Sequence, residues 1–147
     1  MRQIIILACS LVILFSCKKD NSNDNIPIVP ELSGKWRMIS IKDNSTNLVI
    51  TKPSIVIRDV DITFTFSSAT SGRLTGVTPA NTFESNFSIT SLKSLAITQY
   101  SSTKVAEPDW GSYFSDNITF AQKFYFSIVD YLVIETSTNK TIVFIPL

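Results

Sequence analysis

The sequence predicts a mainly β domain over residues 31–147: an antiparallel sheet or partly open barrel of seven to nine strands with one packed α-helix. Three observations predict it. From Glu31 onward the dominant apolar period is two, which is the mark of strands with one wet and one buried face. A single segment breaks that period with helical spacing. No internal repeat or heptad pattern competes with this arrangement.

The elements follow in chain order. Ser33 and Gly34 lead into a first strand at Lys35–Ile41. Residues Asp61 to Ser67 alternate Ile62, Phe64 and Phe66 on one face with Asp61, Thr63, Thr65 and Ser67 on the other. The same alternation groups Phe83, Phe87 and Ile89, then Leu95 and Ile97, then Phe124, Phe126 and Ile128, as core faces. Leu132–Ile134 and Ile142–Ile145 are apolar runs joined through Ser137, Thr138, Asn139 and Lys140, a C-terminal hairpin. Earlier turns are signalled at Thr70–Gly72, Thr78–Pro79 and Ser91–Ser94. The helix is placed after Glu107, with Pro108 at its first position, Asp109 near the positive end of its dipole, and Trp110, Tyr113, Phe114, Ile118 and Ala121 as its apolar stripe. Gly111 in its first turn costs about 1 kcal/mol against alanine, so the aromatics have to hold it by packing.

Ahead of the domain stand two further segments. Residues 1–16 have the three parts of a secretory leader: Arg2, the apolar run Ile4–Phe15, and small Ser16. As a helix that run spans about 18 Å, against roughly 30 Å of bilayer core, too short to stay as a transmembrane anchor. At the junction Leu14, Phe15, Ser16 and Cys17 resemble the bacterial lipobox. By that resemblance the chain is cleaved between Ser16 and Cys17, and Cys17 carries lipid. Cys9 leaves with the leader, so no internal disulfide is available to the mature chain. Residues 17–30, polar through Asn25 and ending in Pro27 to Pro30, read as a tether that holds the domain clear of the headgroups. Lys18, Lys19 and Asp20 after the cysteine are similar to the surface-export signal of Bacteroidota lipoproteins, and Lys18 is not the aspartate that retains lipoproteins in the inner membrane of enterobacteria. The location this implies is the outer membrane, on its periplasmic or its surface face.

Composition narrows the chemistry. Thirteen basic residues stand against 12 acidic ones, and without Arg2 the two signs are equal, so no charge field draws in nucleic acid or anionic lipid. The absence of histidine removes His-based triads, imidazole relays and most zinc sites. Neither a nucleophile elbow nor a glycine-rich phosphate loop is present. Asp59 and Asp61, two apart beside Arg58, are the nearest approach to a paired-carboxylate site. With no further carboxylate or glycine spacing to complete one, they read as solvated charges that protect a sheet edge. The ten phenylalanines, with Trp36 and Trp110, read as core filling rather than as the lining of a ligand cavity. No catalytic, cofactor or metal residue is expected.

Three stretches carry a resemblance to META/HslJ-like domains. Leu32, Ser33, Gly34, Lys35 and Trp36 are similar to that family's opening. Gly76 to Phe83 resembles its stretch of glycine, then cysteine-asparagine, then an aromatic, with Asn81 and Phe83 in place and Ala80 at the cysteine. Ser102 to Pro108 resembles its serine-threonine-lysine-methionine-alanine-cysteine-proline run, with Thr103 and Lys104 in place and Glu107 at the second cysteine. The loss of both cysteines together fits a pair that bond to each other where present. The resemblance implies a compact, mostly antiparallel β structure with a helix, an association with envelope stress, drug tolerance or motility, and no established reaction. The expected role is that of a lipid-anchored, non-catalytic envelope protein that binds another envelope component or supports envelope integrity. An alternative arises because Gly34, Lys35 and Trp36 also resemble the glycine-x-tryptophan signature of lipocalins, which implies a carrier of a small apolar ligand.

Overall fold

The computed structural model describes residues 30–91 and 93–147. The leader, Ser16, Cys17 and the tether up to residue 29 lie outside the described residues.

A short 3-10 turn, Pro30–Leu32, opens the described chain. Gly34 then begins β1 (Gly34–Asp43) at φ +127°, a left-handed backbone angle that favours glycine. After β1 come β2 (Val49–Thr51), β3 (Asp61–Phe66), β4 (Ser71–Val77), β5 (Thr82–Ser88) and β6 (Ala96–Ser102). The helix α1 (Asp109–Ile118) follows, then β7 (Ala121–Phe126), β8 (Leu132–Thr136) and β9 (Lys140–Pro146). All nine strands belong to one antiparallel sheet, ordered β6-β5-β4-β3-β1-β9-β8-β7, with β2 added beside the far half of β1. The fold is a curled half-barrel with a single helix, as the period-two pattern predicts.

Alternation explains the inner wall. Ile62 and Phe64 of β3, Phe83 and Phe87 of β5, and Ile142 and Phe144 of β9 all point into one core. On β1 the buried set runs Trp36, Met38, then Ile41, because a bulge between Met38 and Ser40 shifts the register by one. The aromatic rings pack edge-on and tilted, with Phe64 against Phe87 and Phe83 against Phe114, their centroids each 5.1 Å apart.

The two edges of the sheet come together over a short seam. Leu95 N–H donates to the Gln122 carbonyl at 3.0 Å and Phe124 N–H to the Lys93 carbonyl at 2.9 Å, just ahead of β6 and along β7. Beyond the seam α1 closes that end of the barrel. Trp110, Phe114 and Ile118 are buried in the core, and the Tyr100 hydroxyl of β6 donates to Ser115 Oγ. At the opposite end Leu32, the last residue of the 3-10 turn, is fully buried.

Four local expectations are corrected. Ile128, expected on the core face with Phe124 and Phe126, sits in the β7–β8 turn with its side chain fully in solvent, because β7 ends at Phe126. Tyr113 is 37% exposed, and Ala121 opens β7 rather than continuing the helical stripe. The turn expected at Thr70–Gly72 lies earlier, where Ser67 and Ser68 N–H groups donate to the Ser71 carbonyl, and Gly72 is already in β4. Asp61 does not guard an edge, since β3 lies between β1 and β4.

Candidate functional site

Two polar clusters stand out among the described residues. The first joins the β4–β5 turn to the segment that leads into α1, and its hub is Glu107. Thr78 Oγ1 donates to Glu107 Oε2 at 2.5 Å, Asn81 Nδ2 to the same oxygen at 2.6 Å, and Ala80 N–H to Oε1 at 3.1 Å. Asn81 extends the cluster. Its Nδ2 also donates to the Val105 carbonyl at 2.9 Å, while its Oδ1 accepts from Thr103 Oγ1 at 2.9 Å and from Val105 N–H at 2.8 Å. Thr82 N–H donates to Thr103 Oγ1, which ties β5 to the same point.

The local sequence explains the geometry. Thr78 Oγ1 also accepts from Asn81 N–H, so the turn folds on its own side chain before it meets Glu107. Gly111 leaves room for the carboxylate, and a Cβ there would collide with Glu107. The helix has no side-chain cap, because Pro108 occupies the N-cap and Glu107 is turned toward the β4–β5 loop. The carboxylate nevertheless lies against the first turn, where the macrodipole favours negative charge.

The second cluster is a chain of charges. Arg37 grips Asp61 with two donors, Nε and one terminal nitrogen, each at 2.8 Å, and reaches Asp59 at 3.2 Å. Lys52 Nζ completes it at 2.6 Å from Asp59. The hydrogen bonds to Asp61 hold the Arg37 guanidinium even more firmly protonated than usual, against the opposing effect of burial. The two carboxylates are thus ion-paired with cations from β1 and from the segment after β2. Arg58, their neighbour in sequence, is exposed and is not the cation that pairs with them. Elsewhere, burial pushes the Tyr100 phenol above its ordinary value.

The residues singled out by sequence fall into three places. Asn81 and Thr103 meet in the Glu107 cluster, and Lys104 lies exposed beside it. Phe83 is buried between Tyr100 and Phe114, with Gly76 across the strand pair where any Cβ would strike its ring. Gly34 and Trp36 lie at the far end of the barrel, where Trp36 Nε1–H donates to the Leu32 carbonyl at 3.1 Å. Ala80 and Glu107, far apart in sequence, touch one another through the Ala80 N–H. Nothing in the sequence marks Glu107 as the hub of this cluster beyond Thr78 and Asn81 flanking the Pro79 turn. Among the described residues, no group of three Cys, Asp or Glu side chains is placed to hold a metal ion. A surface groove of about 560 Å³ lies along the seam between Ser94–Ala96 and Ala121–Lys123.

No protein-family model matches this chain, and no curated protein matches it. Among solved structures it is similar to the NMR structure of a protein from Burkholderia xenovorans, with a TM-score of 0.60 at 14% identity. The match covers 82% of this chain and 90% of that one, a likeness of fold.

Proposed function

We propose that this chain is a lipid-anchored, non-catalytic module of the bacterial outer membrane, held through Cys17, whose META/HslJ-like domain binds another envelope component or supports envelope integrity. The observation that carries this reading is that the barrel interior is occupied by the chain's own side chains. Trp110, Phe114 and Ile118 of α1 enter the core and pack with the phenylalanines of β3, β5, β7 and β9. The work then falls to the outer surface and to the attachment. The contact between Ala80 and Glu107 also supports the family resemblance, since a crosslinked pair elsewhere would be replaced here by a hydrogen-bonded carboxylate. Replacing Cys17 by alanine is expected to abolish fatty-acid labelling and to block maturation of the precursor. Continued labelling of that variant contradicts the proposal.

The carrier reading draws on one observation, the Trp36 hydrogen bond that fastens the 3-10 turn across an end of the barrel. Native mass spectrometry of the domain purified without detergent separates the two. An unliganded mass supports the filled module, and a copurifying apolar molecule supports the carrier.

A further inference from the structure

The hairpin between β7 and β8 turns through Ser127, Ile128, Val129 and Asp130. Asp130 N–H donates to the Ser127 carbonyl at 3.0 Å, and Ser127 N–H to the Tyr131 carbonyl at 2.9 Å. Its two central side chains are β-branched and apolar, and both are in water: Ile128 is 104% exposed and Val129 62%. Nothing in turn geometry asks for them, since these positions suit Gly, Asn, Asp and Pro. The other strand connections of similar tightness, Ser67 to Thr70, Thr78 to Asn81 and Ser137 to Asn139, carry no apolar side chain larger than alanine or proline. Asp130, at φ 59°, supplies the left-handed residue that closes the turn, so Ile128 and Val129 are free to serve something outside the fold.

Register shows what stands beside them. Phe126 pairs with Leu132, Leu132 with Phe144, and Pro146 with Trp36, so the turn lies at the end of the barrel where β1 begins. The Trp36 and Phe126 rings meet there, 5.7 Å apart. The chain from Cys17 therefore reaches the domain at the same end that presents Ile128 and Val129, and residues 17 to 30 span at most about 45 Å.

We propose that Ile128 and Val129 are a membrane-contact tip that dips into the phospholipid leaflet carrying the Cys17 anchor and sets the domain upright upon it. The inference rests on the anchoring proposed above. Two apolar side chains are too few to hold a protein on lipid unaided, but the anchor supplies a high local concentration and leaves the tip to choose the orientation. Nearby charges are mixed, with Asp130 in the turn, exposed Glu31, and Lys35 on β1. The contact is therefore apolar in nature and indifferent to anionic lipid.

The test uses the full lipidated chain, whose Cys17 sulfur is blocked by the diacylglyceryl group, so that one engineered cysteine takes an environment-sensitive fluorophore. Ile128→Cys reports on the tip. Leu48→Cys, 59% exposed in the loop after β1 at the far end, controls for the greasiness of the label. The proteins are reconstituted into phosphatidylcholine vesicles and, separately, into phosphatidylethanolamine and phosphatidylglycerol vesicles. The expected result is a blue shift and quenching by spin-labelled acyl chains at position 128, the same in both lipids, with position 48 aqueous. Co-flotation with both positions aqueous, or with both quenched, overturns the tip while leaving the anchor intact. Shielding at position 128 that needs an added protein extract overturns it in favour of a protein partner. Failure of the unlabelled chain to float overturns the anchoring, and the tip falls with it.

Discussion

Glu107 fastens two segments that are far apart in sequence, and its removal tests how much that matters. Glu107→Ala leaves Thr78, Ala80 and Asn81 without their acceptor, and chemical denaturation is expected to show a loss of about 2 to 3 kcal/mol. Gly111→Ala makes a sharper case. Alanine is the better helix former by about 1 kcal/mol, yet its methyl would push the carboxylate off the loop, so this variant is expected to be less stable than the parent. A gain in stability there would show that the cluster is not coupled to the helix. The two tryptophans differ in the same way. Trp36 Nε1 is paired with Leu32, whereas Trp110 Nε1 is buried without a partner among the described residues. Phenylalanine at 36 strands a carbonyl and phenylalanine at 110 relieves an orphan donor, so thermal melts should rank Trp36→Phe as the more damaging. At Asp43 the hydrogen bond from Lys140, reinforced by Ser45 N–H, holds the carboxyl below the usual carboxylate range. A lowered carboxylate stabilises the fold above its unfolded-state pKa, and that contribution fades as pH falls through the lower, folded value. Melts between pH 7 and pH 2 should therefore show a shallower acid loss for Asp43→Asn than for the parent.

At the scale of elements, strands were the most legible part of the sequence. The alternation of Ile62, Phe64 and Phe66, and the runs at Leu132–Ile134 and Ile142–Ile145, each became a strand because burial on one or both faces leaves a periodic trace. β2 left no such trace, since three residues added beside β1 are too few to show a period. The helix was legible through Trp110, Phe114 and Ile118, but not its end, because Ala121 kept the helical spacing by accident after the chain had turned at Thr119. Ile128 misled for a related reason: period two continued past the last ladder pair, and pattern alone does not mark where pairing stops. The Glu107 cluster was legible only as separate polar residues, because their meeting depends on how β4, β5 and α1 assemble. The seam carries the prediction at this scale. Only two backbone bonds join Lys93–Leu95 to Gln122–Phe124, whereas β1 and β9 pair from Trp36 to Asp43. Hydrogen exchange should release the Leu95 and Phe124 amides well before those of Met38 and Phe144.

For the whole molecule, the two ends of the barrel differ. One is closed by α1 and carries the Glu107 cluster; the other holds the buried Leu32, the Trp36 hydrogen bond, the start of β1 and the Ile128–Val129 turn. The proposed tethering places that second end toward lipid and leaves the α1 end facing outward, where Lys104 and the exposed Tyr113 are available to a partner. The filled interior suits the proposed surface module better than a carrier. The proposed tethering depends on lipid at Cys17, which the intact mass of the protein extracted from the membranes of the bacterium that expresses it reads out. The expected mass is that of residues 17–147 increased by a diacylglyceryl group, with or without a further acyl chain. The mass of the unprocessed chain, or of a shorter chain with no lipid, would contradict it.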